Sequence, residues 1–342
     1  MIFFTKLFVR IMRMSNGLIF GMAAFLIVVS SWMAYWLEPE TFERPFNGFW
    51  WVMTTLTTVG YGDFYPNTVA GKCLGIFLYV FGIGLISVTI SKVVDALFVY
   101  QRKKEEGKLK FAGQNHFVIV DWSKHSELAI HEILKTDPKA EIVLIDTLEK
   151  TPIQHPRVHY IQGNPVKSEV LEFANLGAAR AVFIFANDVT ENQVVIRDAS
   201  FIDGKTLLIA TAIERKYNHV HTIVEIKDEE NLPNFQHVKV DEFILGHDTI
   251  AQLAVRSAFF PGTSNLLSQL LKRGQGDELH ELRKKPHWNT YRDACTELLQ
   301  EGATLISDST QQSINRRLDE VIPDGVSLFV ICDQETYRRL VK

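Results

Sequence analysis

The chain has 342 residues, 46% of them hydrophobic, and a net charge of -4, which leaves room for two or three structural units. An acidic balance argues against a general nucleic-acid binder, so no nucleic acid is expected among the partners. Cys73, Cys295 and Cys332 are too scattered for a disulfide framework or a zinc spacing, which fits a reducing compartment for the C-terminal part.

The first 15 residues, MIFFTKLFVRIMRMS, place Lys6, Arg10 and Arg13 on one face of a helix with apolar residues around the rest. That is the pattern of an interfacial helix lying among lipid headgroups. Two charge-free runs follow, Gly17 to Leu37 and Cys73 to Ser91. Each is about long enough to cross a bilayer core of ~30 Å. Cations flank both outer ends of this pair, with Arg102, Lys103, Lys104, Lys108 and Lys110 after the second run. The loop between carries Glu38, Glu40, Glu43 and Asp63 instead. Both termini are therefore expected in the cytoplasm, with the chain in the plasma membrane.

The loop from 38 to 70 is too long for a turn and too apolar to lie free in water. Pro45 suits a first helical turn, and PFNGFWWVMTTLT reads as a helix too short to span. It fits a re-entrant segment, followed at once by Thr-Val-Gly-Tyr-Gly-Asp. Gly60 and Gly62 open backbone angles closed to other residues, and alternation with Val59 and Tyr61 can turn successive carbonyls the same way. Four such strands related by symmetry can replace the hydration shell of K⁺.

Span, short helix with Trp50 and Trp51, Thr57 to Asp63, Pro66 and span together resemble the pore of tetrameric potassium channels of the two-transmembrane type, over residues 17 to 100. The resemblance implies a selectivity filter at Thr58, Val59, Gly60, Tyr61 and Gly62, with Asp63 at the outer mouth. Some such channels place a glutamate behind the filter where this chain has Thr54, so inactivation through a Glu–Asp pair is not expected. No arginine-rich helix offers a voltage sensor. Gly82 and Gly84 fall where inner helices of the family bend; close helix packing is the competing role.

Residues 101 to 114 are charged, contain glycine and read as a linker. Short apolar runs then alternate with helical stretches: HFVIV, EIVLID, VHYIQG, AVFIFAN, HTIVEI and DEFILG. The alternation indicates a parallel, doubly wound α/β sheet over 115 to 246. A nucleotide would sit at the tip of its first strand, on Asp121, Ser123, Asp146 and Asn164. Yet the three fingerprint glycines are absent, Asp121 would repel a pyrophosphate, and Asp146 can equally serve as a turn cap.

The order of these pieces is similar to that of the RCK (TrkA-N/TrkA-C) potassium channels, over nearly the whole chain. By that resemblance, 247 to 274 are crossover helices on which two domains swap, and 275 to 342 form a small α/β regulatory C-subdomain. The domains would assemble into a cytoplasmic ring on a homotetramer and pull on the inner helices. Adenine nucleotide and Ca²⁺ are the regulatory ligands the resemblance implies. Asp188 and Glu225 sit where calcium ligands would come from, but Lys227 replaces a second glutamate. All six methionines precede the filter, so an internal start would not supply extra soluble copies. The expected ring has four domains, or is completed by a separately encoded RCK subunit. The expected function is a ligand-gated K⁺ channel without catalysis. A nonselective cation pore and a membrane-anchored nucleotide sensor are the alternatives.

Overall fold

The computed structural model describes residues 15–189, 195–272 and 276–341, so most of the expected interfacial helix, 1–15, lies outside the described residues. The chain divides into two compact units, Met1–Lys108 and Leu109–Lys342.

In the first unit, helix α1 (Asn16–Leu37) is followed by a single turn, α2 (Pro39–Phe42), and by α3 (Pro45–Leu56). Pro39 and Pro45 each open their helix, where a missing N–H costs nothing. Helix α4 (Val69–Glu105) is capped by Thr68, whose hydroxyl accepts from the Gly71 amide. Among the described residues α1 and α4 are long and apolar enough to cross a membrane. Their shared core with α2 and α3 holds Ala34, Phe42, Trp51, Val52, Leu56, Leu74 and Leu78. Within α4, Leu78–Gly82 form a π turn.

The helix continues through Glu105, five residues into the stretch expected to be linker. At the other end of that stretch, Phe111 already belongs to the core of the second unit. The linker of 101 to 114 therefore shrinks to a few residues around Gly107.

The second unit opens with strands β1 (Phe117–Val120), β2 (Ile142–Asp146), β3 (Val158–Gln162), β4 (Ala181–Ile184), β5 (His221–Ile226) and β6 (Glu242–Leu245). They form one parallel sheet in the order β3-β2-β1-β4-β5-β6. The central strands are apolar throughout because both faces are covered. Val118, Val120, Val143 and Ile145 face one core layer, with α6 (Ser168–Phe173) and α7 (Ala199–Tyr217). Ile119, Ile142 and Leu144 face the other, with α5 (Lys124–Thr136).

Helices α8 (Gly246–Phe259) and α9 (Thr263–Leu271) lead to a separate antiparallel sheet, β7-β9-β8. Its strands are β7 (Glu278–Arg283), β8 (Thr304–Asp308) and β9 (Ser327–Cys332). With α10 (Tyr291–Gln300) and α11 (Gln334–Leu340) it encloses Trp288, Tyr291, Leu298, Leu328 and Val330. A capping box between Thr290 and Asp293 fixes the start of α10.

Candidate functional site

Two places gather the residues singled out in the sequence, one in each unit. In the first, α3 ends at Leu56 and the chain turns out of the helix on the Thr54 carbonyl, which accepts from Val59 N at 2.9 Å and Gly60 N at 3.2 Å. The next residues alternate in hand: Thr58, Gly60 and Gly62 have φ of 61°, 56° and 75°, whereas Val59 and Tyr61 stay out of the positive region. This alternation is the backbone condition for turning successive carbonyls to one side of a strand. Thr58 is the member that glycine counting missed, because a β-branched residue is a poor indicator of a left-handed position. The C-terminal end of α3 opens onto the same loop and contributes negative potential there.

Asp63 is held by two bonds. Trp50 Nε1 donates to its Oδ2 at 2.8 Å, and Phe64 N donates to Oδ1 at 3.0 Å. The Trp50 ring also stacks on Tyr61, with centroids 5.8 Å apart and planes within 2°. Thr54 is buried and donates to the Trp51 carbonyl instead of meeting Asp63. The carboxylate thus finds an indole partner where a glutamate was absent.

Glu38 is the residue that sequence reasoning counted only as loop acidity. It is 4% exposed and accepts four bonds: Thr41 Oγ1, Asn67 N and Thr68 N at 2.9 Å, and Thr68 Oγ1 at 2.6 Å. Burial works against its charge, but the Thr68 hydroxyl, the two amides and the Thr41 hydroxyl outweigh it and hold the carboxyl below its usual range. The end of α1 is thereby tied to the loop entering α4. A Cβ on Gly71 would overlap Glu38 Oε1, so the site requires glycine there.

The two candidate hinge glycines differ. A Cβ on Gly82, the last residue of the π turn, would overlap Leu56 Cδ2, so this glycine lets α4 approach the end of α3. Gly84 has open space around it.

In the second unit, Asp121, Ser123, Asp146 and Asn164 line one cleft of 650 Å³ with Lys124, Asn187, Asp188 and Lys205. It lies at the carboxyl ends of β1, β2 and β4, where strand order reverses. Asp121 has φ 64° and forms an ion pair with Lys205 from α7, so its charge is compensated. Ser123 caps α5 by accepting from the Ser126 amide. Asp146 accepts from the amides of Trp122 and Leu148 and ties the loop after β1 to the loop after β2. Asn164 Oδ1 accepts from Val166 N, a turn cap. The missing glycines are thus replaced by a side-chain scaffold.

Asp188 borders this cleft, but the buried Glu225 is otherwise engaged. Its carboxylate meets His125 Nδ1 at 3.1 Å, the Ala186 amide at 3.0 Å and Lys227 Nζ at 3.8 Å. Among the described residues, no three acidic, His or Cys side chains gather as a metal site.

Residues 22–99 match the ion channel domain family, and residues 131–224 match the RCK domain of calcium-activated slowpoke-like potassium channels. YugO of Bacillus subtilis, named as a potassium channel protein, is 29% identical over 220 residues, 64% of this chain and 65% of that one. The calcium-gated potassium channel TvoK of Thermoplasma volcanium is 27% identical over 254 residues, 72% of this chain and 71% of that one. The aligned stretch therefore spans just under two thirds of the Bacillus relative's length. Among solved structures, the human SLO3 gating ring superposes with a TM-score of 0.51 at 16% identity, over 66% of this chain and 46% of that one, a likeness of fold alone.

Proposed function

We propose that this chain, which matches an ion channel family over residues 22–99 and an RCK domain over residues 131–224, is a homotetrameric, potassium-selective channel opened or closed by a ligand of its cytoplasmic part. The observation that carries the reading is the alternating backbone hand at Thr58, Gly60 and Gly62, at the end of a half-length helix between two apolar spans. Carbonyls of Thr58 to Gly62 from four copies replace the water around K⁺, the Thr58 hydroxyl adds the innermost ligand, and Asp63 marks the outer mouth. Both termini are cytoplasmic. The permeant ion crosses without chemistry, and gating is a coupling free energy between the RCK domain and α4.

The cleft lined by Asp121, Ser123, Asp146 and Asn164 is read as the ligand site, for an adenine nucleotide. Calcium at Asp188 and Glu225 is the lesser candidate, since Glu225 would first have to leave His125 and the Ala186 amide. The test is flux from liposomes containing the purified chain. K⁺ efflux well above Na⁺ efflux, abolished by Gly60→Ala, supports the reading; equal permeability makes the pore nonselective. A nucleotide at about 100 times its dissociation constant should stabilise the chain by about 2.7 kcal/mol. An unmoved Tm with ADP, ATP and NAD would remove these nucleotides as ligands.

A further inference from the structure

The segment that leaves α4 is gripped as soon as the second unit begins. Leu109 O accepts from His159 Nε2 on β3 at 2.8 Å. Phe111 N donates to Phe173 O at 2.9 Å, and Asn175 Nδ2 donates to Gly113 O at 2.8 Å. Between these bonds the Phe111 ring lies against two imidazoles, His116 at 4.6 Å and His159 at 5.3 Å between centroids. His116 is fully buried. Its Nε2 meets the Ala174 carbonyl at 3.0 Å, so that nitrogen carries the proton, and its Nδ1 has no hydrogen-bond partner.

Helix α4 ends at Glu105, and the residues up to Lys108 are braced back onto it. Gly107 N donates to Lys104 O, Lys108 N to Lys103 O, and Glu106 pairs with both Arg102 and Lys108.

We propose that Leu109–Gly113 is an acid-releasable clasp: Phe111, held between His116 and His159, is the point through which the RCK core acts on α4, and cytoplasmic acid loosens it. The inference rests on the channel reading above for its consequence, but not for the clasp itself. A neutral imidazole suits the buried position of His116. A proton on His116 Nδ1 would put a charge in an apolar core with nothing to accept its hydrogen bond. Burial accordingly lowers the readiness of His116 to protonate; the Ala174 carbonyl and Glu141 oppose this, and His159 reinforces it. The other charged groups near the clasp are Lys110 within it, Glu172 beside Phe173, and Arg180, whose amide donates to His116 O. With its folded pKa below the unfolded value of 6.5, His116 favours the closed clasp above that pH. The contribution is lost as pH falls through the folded pKa.

The experiment uses the full chain in lipid nanodiscs and liposomes. Hydrogen exchange of 109–113, corrected for intrinsic pH dependence, is compared at pH 8 and pH 6 for the natural sequence and His116→Gln. The variant keeps an N–H that can donate to the Ala174 carbonyl but removes the imidazole that takes up the proton. Protection should fall by up to about fourfold at pH 6 in the natural chain, the ceiling for one imidazole with an unfolded pKa of 6.5 and a lower folded one, and stay level in the variant. Equal protection at the two pH values in the natural chain overturns the clasp, as does an unchanged pH response in His116→Gln. K⁺ current is then recorded while cytoplasmic pH is stepped over the same range, for the natural chain and for Phe111→Ala. A pH-dependent open probability that Phe111→Ala flattens supports the coupling role. Current with the same pH profile in both overturns that role. Acid-released protection without K⁺ current at any pH supports the clasp and instead overturns the channel reading.

Discussion

Glu38 shows how one carboxylate can fix a loop it does not belong to. Its partners are neutral hydroxyls and amides, so the charge is stabilised by hydrogen bonds alone. Glu38→Gln keeps the volume but removes the charge. Hydrogen bonds to an ionised group contribute about 1.5–3 kcal/mol, and a loss of that order should appear as a lower Tm in detergent. The natural chain should be stable above the unfolded carboxyl value near 4.5 and lose this contribution as pH falls through the lower folded value. A variant that melts with the natural pH profile would show the bonds to be unimportant. Thr58 makes a different point, since its left-handed backbone costs about 1–2 kcal/mol in a residue with a Cβ. Thr58→Gly should relieve that cost while removing a hydroxyl from the proposed ion path. We expect unchanged or higher thermal stability together with a lower K⁺ over Na⁺ permeability ratio. Lower stability with intact selectivity would assign the side chain a packing role.

Among elements, the π turn of α4 and the end of α3 approach closely at Gly82. Gly82→Ala must displace Leu56, which is itself buried with Leu78 in the same core and has Leu26 packed against it. Overpacking of this kind costs about 1–3 kcal/mol. Gly84→Ala meets open space and should cost nothing by packing. Thermal unfolding of the two variants checks this, and equal melting points would remove the distinction. In the second sheet, Asp308 at the end of β8 is 3% exposed and organises the surrounding chain. Its Oδ1 accepts from Thr310 N, Thr310 Oγ1 and Gln311 N, while Oδ2 receives the Tyr291 hydroxyl and lies 3.3 Å from Arg317. Burial opposes its ionisation, but these donors hold its carboxyl well below the usual range. Burial and then Asp308 itself push the Tyr291 hydroxyl up to about 12. Asp308→Asn removes the charge these donors solvate, while Arg317 keeps Glu320, and should cost about 1.5–3 kcal/mol. Faster hydrogen exchange across 276–341, with the six-stranded sheet unaffected, is the expected signature. The stabilising contribution is present above the unfolded Asp value near 3.8 and disappears as pH falls through the lower folded one.

At the scale of the whole molecule, the sequence determined which segments could be spans, the half-length helix and strands. Apolar runs of bilayer length located α1 and most of α4, since composition alone decides whether a helix can lie in lipid. Proline at the first turn and paired glycines located α3 and the loop after it. Strand-length apolar runs at helix-length intervals gave the six parallel strands, because a sheet covered on both faces needs apolar residues throughout. What needed the tertiary structure were pairings between distant positions. Glu38 meets Asn67 and Thr68, Lys205 of α7 neutralises Asp121, and Phe173 and His159 hold the segment around Phe111. Nothing local marks such pairs, because a carboxylate, a lysine or a phenylalanine is equally at home in a solvated loop. The stretch expected as linker, 101 to 114, is part helix and part core. Its charges read as solvated chain, whereas α4 extends through Glu105 and the core claims Phe111. Local chemistry thus decided which segments enter lipid or form strands, while the partners of each buried charge were decided by which elements the fold brings side by side.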